Sequence, residues 1–579
     1  MKKTLSLIFS CALALCSSAQ QTPFEKSNGK ETATYTELIS YFKNITQKYP
    51  EAKLLEYGTT DIGKPLNLLV LSKSKDFDPV SLHTKGKAII LINNGIHPGE
   101  PEGIDATMML VRDLLEKKQL PDNVVLCFIP VYNIDGMLNR GPNSRVNQNG
   151  PVEYGFRGNS RNLDLNRDCI KTDSRNSLAF QQIFQNWKPE VFLDNHTSNG
   201  ADYQHVMTYI ATQKDKLNPE VSAYMNNKLI PVLLAKMKER KFEMVPYVNV
   251  WGNTPDKGYE GFNDSPRYTT GYSTLFNSIG FVVETHMWKP FDQRVWATYA
   301  FMQELINQTE KDAKEIIDTK RKADEMVKNQ TAFAMDWKVD TSKVEQIAFK
   351  GFEGKYKPSE VSGLDRLYYD RSAPFEKQID YKNSFKPTQL VGKPWAYVIS
   401  QSWGKVIELL KLNGVQMKPL TKDMALRGEM YFIDDYKTGT RPYEGHYLHS
   451  TIKVTKDTMN VQFYKGDYVV QVDQAVNRYI VETLEPQAID SYFNWNFFDS
   501  ILGQKEGFSD YLFEDIATEI LKKDPELKAK LEEKRKADPK FAQSAYAQLD
   551  FIYKNSPYYE KTHNRYPIMR LLQPVYLGN

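Results

Sequence analysis

Cysteine is scarce: there are 4 in 579 residues. Cys11 and Cys16 fall in the first twenty positions, which leaves Cys127 and Cys169 for the rest. Two thiols in so long a chain exclude a disulfide framework. Cys127 sits in "VVLCFIPVY", a buried-strand pattern, and reads as an inert core thiol; nothing in the sequence supports a Cys127–Cys169 bridge. An excess of one charge is also missing. With 75 basic and 72 acidic residues the net charge is +3, so a polyanion partner has no footing and nucleic acid is disfavoured. Long apolar runs are missing after the first twenty residues, so no membrane span is expected in the mature chain. No repeat period and no low-complexity tract is found.

What is present is the composition of a soluble globular protein, 41% apolar and 25% charged, with 34 tyrosines. The length suggests two or three domains of ~100–200 residues each. The start reads as a signal peptide over residues 1–19: Lys2 and Lys3, the apolar "TLSLIFSCALALC", then "SSA" before Gln20. Lipidation at Cys11 or Cys16 ranks second, because Phe9 and Leu15 crowd the positions just before them. An exported chain is therefore expected, periplasmic or extracellular.

From about Ser40 to Glu310 apolar runs alternate with amphipathic stretches. Leu66–Ser72, Lys87–Gly95, Val124–Asn133, Glu190–His196 and Phe281–His286 read as buried strands, short and bounded by Gly, Pro and Asn. Ile104, Met108, Val111 and Leu115 recur at helical spacing, predicting a helix over Gly103–Lys118. The alternation predicts an α/β fold, a mostly parallel mixed sheet flanked by helices. Ligands in such sheets gather at the carboxyl ends of strands. A charged helical connector is expected at 311–335, between a catalytic domain at 20–310 and a C-terminal α+β accessory region at 336–579.

The chemistry begins with "NNGIHPGEPEGIDA". His97 and Glu100 stand three apart in a tight loop entering a helix, where their side chains can share a side. Alone, the pair is better explained as a polar turn with a glutamate favoured by the helix N-terminus. "FLDNHTSNG" then ends an apolar run on His196, and "FVVETH" sets Glu284 in an otherwise apolar strand, a costly place for an unpaired carboxylate. Between them lies "EYGFRGNSRNLDLNRD" with Arg157, Arg161, Asn166 and Arg167. His286 shares the face of Glu284 and reads as structural. His83, His205, His446, His449 and His563 read as structural too, although "HYLH" has a metal-like spacing.

Taken in order, HPGE, NIDG, FRGNSRNLDLNRD, LDNH and VVETH resemble the zinc carboxypeptidase family, the carboxypeptidase A-like metallopeptidases. The likeness spans roughly Asn93 to Pro290 and leaves the C-terminal region uncovered. It implies one zinc ion held by His97, Glu100 and His196, the two-His, one-Glu set of that family. It implies Asp164 as the acceptor that orients His97. Asn166 and Arg167 would bind a peptide's terminal carboxylate, and a guanidinium fork suits that group. Arg157 would stabilise the oxyanion, with Arg161 as competitor, and Glu284 would be the general base. The family's mobile tyrosine transfers poorly; Tyr268 in "SPRYTTGY" is the choice, with Tyr259 behind it. The implied activity is removal of C-terminal residues from peptides that carry a free C-terminus. A cell-wall peptide hydrolase or amidase of the same fold, and a non-catalytic peptide-binding module, are the competing readings. The oligomeric state is not legible.

Overall fold

The structure is a computed structural model that describes residues 20–577. The stretch read as a signal peptide, with Cys11 and Cys16, lies outside the described residues.

The strands of the first half are β1 (Ala52–Thr59), β2 (Pro65–Leu71), β3 (Ala88–Asn93), β4 (Val124–Ile129), β5 (Val191–Ser198), β6 (Met207–Ala211), β7 (Val245–Pro246), β8 (Tyr259–Glu260) and β9 (Ile279–His286). All but β8 form one sheet in the order β1-β2-β4-β3-β5-β9-β6-β7. Its centre, β4-β3-β5-β9, is parallel. β1, β2 and β6 run antiparallel to their neighbours there. Every residue of β3 and β4 is buried, because both faces of the sheet are covered; this is why those runs are continuously apolar rather than alternating.

Side chains of successive strand residues point to opposite faces, and the aromatics show which helix covers which. Phe281 on β9 meets Phe301 of the helix Phe291–Asn329, ring centroids 6.0 Å apart. Phe192 on β5, opposite Gly280 in register, points the other way and packs on Phe180 and Phe184 of the helix Arg175–Trp187, 6.0 Å from each. The expected helix after the HPGE turn spans Glu102–Glu116 and is buried along nearly its whole length. The charged stretch expected as a connector is the second half of the single helix Phe291–Asn329, and a strand follows from Ala332. Cys127 and Cys169 are free and buried, and burial pushes both thiols well above their ordinary pKa.

The C-terminal half contains β-structure and helices, as the sequence predicts. A long hairpin, Glu345–Pro358 with Asp365–Lys382, reaches back and pairs with β8. A six-stranded sheet includes the hairpin Met424–Thr438 with His449–Phe463. Helices Asp510–Lys523, Pro525–Ala537 and Ala545–Lys554 close on their own apolar cluster, with Phe513, Leu531 and Tyr553 inside. The larger core does not stop between the two halves. Phe276 stacks on Tyr479 at 5.6 Å, and the buried Asn413 amide donates to Gln181 Oε1 at 2.9 Å while its oxygen accepts from the Tyr272 hydroxyl at 2.6 Å. No helix among the described residues is long and apolar enough to cross a membrane.

Candidate metal centre and substrate cleft

The parallel centre of the sheet delivers its carboxyl ends to one place. β3 ends at Asn93 and leads into the HPGE turn, β5 carries His196, and β9 carries Glu284. The register pairs His196 with Glu284, so the two side chains leave the sheet side by side on one face. The HPGE segment is a tight turn in which the Glu100 N–H donates to the His97 carbonyl at 2.9 Å. Gly99 is closely approached there: a Cβ would lie 2.8 Å from Arg145 Cδ and 3.0 Å from the Gly155 carbonyl. The turn brings His97 and Glu100 to the same side, each only 3% exposed.

Ligand atoms of His97, Glu100 and His196 all lie within 4.8 Å of one another. His97 Nδ1 is 3.3 Å from Glu100 Oε1, and His196 Nδ1 is 3.1 Å from Glu100 Oε2. The opposite ring nitrogens face other carboxylates. His97 Nε2 donates to Asp164 Oδ1 at 2.9 Å, and His196 Nε2 lies 3.0 Å from Asp194 Oδ2. That is the carboxylate–histidine–metal pattern, in which the outer carboxylate fixes the tautomer and leaves Nδ1 free to bind. Asp194 is itself held by Asn93 Nδ2 at 3.0 Å and the Thr269 hydroxyl at 2.8 Å.

The ionisations of these residues are tied to one another. Burial pushes the Glu100 carboxyl up, but Arg145, His97 and His196 outweigh it and hold Glu100 well below the usual range. Burial lowers His196, yet Asp194 and Glu100 raise it well above an ordinary histidine. Burial likewise opposes ionisation of Asp164, and His97, Arg157 and Arg167 hold it far below the usual carboxylate range. Two imidazoles and a carboxylate with an open side are the donor set that catalytic zinc takes, so these residues fit that ion.

The cleft that contains the triad has a volume of about 540 Å³. Glu284 and Arg157 line it beside the triad, and Asn166, Arg167 and Tyr268 line it as well. Burial, with the nearby Glu100 charge, pushes the Glu284 carboxyl up to about 7, while His196 and the arginines pull it down. Arg157 Nε donates to Asp164 Oδ2 at 2.9 Å, and its Nη1 is 3.3 Å from His97 Nδ1 and 3.5 Å from Glu100 Oε1. Arg161 instead donates to the Asp173 carbonyl and does not line the cleft. Asn166 and Arg167 form a one-turn 3-10 helix, Leu165–Arg167, capped by Asp164 Oδ1 on the Asn166 N–H at 2.9 Å. The Arg167 guanidinium stacks 4.4 Å above the Tyr268 ring. Tyr259 is elsewhere, its hydroxyl donating to the Pro246 carbonyl at 2.8 Å.

Two cleft residues were not singled out from the sequence. Arg145 Nη1 donates to Glu100 Oε1 at 2.6 Å and Nη2 to the Thr197 carbonyl at 3.1 Å. In the sequence it is one arginine in the Gly- and Asn-rich "GPNSRVNQNG", with no pattern to set it apart. Tyr247 also faces the cleft; its phenol is raised by burial and by the charge of Glu284. His286, as expected, is structural: it lies 3.1 Å from Asp202 Oδ1, and its ring is 4.3 Å from that of Tyr203.

Residues 38–238 match the family model described as zinc carboxypeptidase. They belong to the zinc carboxypeptidase family. This match and the similarity to curated carboxypeptidases support a zinc metallocarboxypeptidase with one zinc ion, which the His97, Glu100 and His196 triad could hold, and with peptide substrates. Among curated proteins it is similar to Carboxypeptidase 2 of Trichophyton equinum, 21% identical over 453 residues, covering 74% of this chain and 77% of that one. Carboxypeptidase 2 of Trichophyton rubrum is 20% identical over 427 residues, 70% of this chain and 73% of that one. Among solved structures it is similar to a metallo-carboxypeptidase from Burkholderia cenocepacia, at 17% identity and TM-score 0.35, over 47% of this chain and 68% of that one. A metallo-carboxypeptidase from Pseudomonas aeruginosa aligns at 15% identity and TM-score 0.36, over 48% and 68%.

Proposed function

We propose that this metallocarboxypeptidase removes residues one at a time from peptides with a free C-terminus, with His97, Glu100 and His196 as the zinc ligands, Glu284 as the general base and Arg157 as the oxyanion donor. Asn166 and Arg167 take the terminal carboxylate, and Tyr268 borders the bound residue. The N-terminal sequence supports export to the periplasm or the extracellular space as a soluble chain.

Zinc in this triad supplies Lewis acidity, bringing the pKa of water toward ~7 and polarising a carbonyl. The remaining work falls to the chain. Asp164 holds His97 by Nε2 and so presents Nδ1 to the ion. Glu284 accepts the proton of the attacking water and returns it to the leaving amine. A carboxyl pushed up to about 7 suits both halves of that transfer near neutral pH. Arg157, fixed through Nε by Asp164, directs Nη1 toward the triad, where an N–H can meet negative charge growing on the carbonyl oxygen. Arg167 meets the substrate carboxylate with its planar fork and thereby sets which end of a peptide enters.

One observation carries this reading: the three ligand atoms converge to within 4.8 Å in the same cleft that Glu284 and Arg167 line. The test is a digest of one peptide as free acid and as C-terminal amide, read by mass spectrometry beside metal analysis. The expected result is one zinc per chain, stepwise loss from the free acid and little from the amide. Equal cleavage of both forms, or internal cuts, refutes the exopeptidase assignment.

A further inference from the structure

The zinc carboxypeptidase match ends at residue 238, yet a loop far beyond it touches Arg167, one of the residues that line the cleft. The loop joins the two strands Met424–Thr438 and His449–Phe463 of the C-terminal sheet. Its tip is a tight turn in which Tyr443 and His446 exchange backbone hydrogen bonds of 2.7 and 3.0 Å. Three side chains of that turn bind the catalytic half. The Tyr443 hydroxyl accepts from Arg167 Nε at 3.0 Å. Glu444 Oε2 accepts from the Asp164 N–H at 2.8 Å. His446 Nε2 lies 2.7 Å from Asp173 Oδ2. All three partners belong to the segment that carries Asn166 and Arg167.

The turn is itself held rigidly. The Tyr443 ring lies near-parallel to Trp495, which is fully buried, with centroids 6.2 Å apart. Arg267 packs on both rings, at 5.5 Å from Tyr443 and 5.0 Å from Trp495. Arg267 is tied in turn to Asp490 of the C-terminal half through Nε, at 2.8 Å, and through its backbone N–H, at 3.0 Å. Arg267 directly precedes Tyr268, whose ring lies under Arg167.

We propose that Tyr443 is a positioning residue for substrate binding: by accepting from Arg167 Nε it fixes the guanidinium so that the Nη edge faces the terminal carboxylate. This rests on the assignment of Arg167 to that carboxylate. Arg167 commits Nε to Tyr443 and Nη1 to the Asn166 carbonyl, 2.8 Å away, and among the described residues nothing accepts from Nη2. An unrestrained arginine samples many rotamers, and a fork already oriented loses less freedom on binding. The C-terminal half thus sets the affinity of the cleft for its substrate while standing outside the reacting atoms.

The test is Tyr443→Phe in the full-length zinc-loaded enzyme; it removes the hydroxyl and keeps the ring between Arg267 and Trp495. Tyr447→Phe, an exposed position on the same loop, is the control. Having to order one long side chain on each binding event weakens carboxylate binding by up to about tenfold. The expected result is a KM for a free-acid peptide about tenfold higher, with kcat within twofold of wild type. Inhibition by a product amino acid should weaken about tenfold, and inhibition by acetohydroxamate, which has no carboxylate, should not change. An unchanged KM and unchanged product inhibition overturn the proposal, as does a fall in kcat alone. If the wild-type enzyme cleaves free-acid and amidated peptides equally, the carboxylate assignment of Arg167 fails, and that is seen before any variant is made.

Discussion

Asp105 offers a sharp test of how burial and charge are balanced around the metal-bearing turn. It lies in the helix Glu102–Glu116 that follows HPGE and is fully buried. Oδ1 accepts from the Ala33 N–H at 3.2 Å. Burial, reinforced by the charge of Glu102, pushes this carboxyl up to about 7, against the pull of Thr32 and the Ala33 N–H. The sign follows from the direction of the shift. Between pH 4 and 7 the folded chain holds a proton that the unfolded chain has released, so stability falls as pH rises through that window and levels off above it. The rise from an ordinary aspartate to about 7 sets a ceiling of about 4 kcal/mol. Asp105→Asn keeps the shape and cannot ionise. Its amide can donate to Thr32 Oγ1, and one remaining N–H without an acceptor costs about 1–3 kcal/mol. The variant should therefore be about 1–3 kcal/mol more stable than wild type at pH 8 and no more stable at pH 4.5. Urea unfolding followed by tryptophan fluorescence at the two pH values reads this directly, with kcat at pH 7.5 expected to hold. A gain of equal size at both pH values, or a loss at pH 8, refutes the reasoning.

Two further outcomes follow from the site and the core. Glu284→Gln should retain one zinc per chain by metal analysis and lose about 10²–10⁴ in kcat, the usual range for a positioned general base; full turnover in that variant removes the base assignment. A chain ending at residue 335 should fail to give soluble, cooperatively unfolding protein, because it strips Asn413 and Tyr479 from Gln181, Tyr272 and Phe276 of the catalytic half; a folded, zinc-binding fragment would show the C-terminal half to be dispensable.

The parallel centre of the sheet was legible because β3, β4 and β5 are covered on both faces and so must be written as apolar runs. The polar residues that end those runs, His196 and Glu284, stand out against that background for the same reason. HPGE is local, and a turn followed by a helix can be read from four residues. The order of the motifs then pointed to a family and through it to a ligand set. Contacts between distant segments were not legible. Nothing near Arg145 in the sequence shows that it will sit 2.6 Å from Glu100, forty-five residues earlier. Arg157 and Arg161 look alike in the sequence, and only the fold shows that Arg157 bonds Asp164 and lines the cleft. Tyr443 stands in a loop of the half that the motifs do not reach, and its role depends on a turn brought across 276 positions of chain. Tyr247 lines the cleft too, but the stretch between it and Tyr272 holds several tyrosines, and only packing separates them.

The charges of the cleft suggest why so many arginines gather around a cation site. Glu100, Asp164, Asp194 and Glu284 converge on the two imidazoles, and Arg145, Arg157 and Arg167 stand against them. With every acid ionised and the two imidazoles left out, these seven side chains sum to −1; a proton on His196 or on Glu284, the two groups whose affinity for protons is raised, cancels that charge. A divalent ion among the ligands turns the same set to +1. The charge is distributed as well as reversed: Arg157 and Arg145 lie against Glu100, whereas Arg167 is turned away toward Tyr268 and Tyr443. In a cleft walled by protein the effective dielectric is low, and a change of two charges outweighs any single hydrogen bond in deciding whether an anion enters. If Arg167 takes the substrate's anionic end, as proposed above, a divalent ion in the triad adds two positive charges to the same cleft and favours that binding.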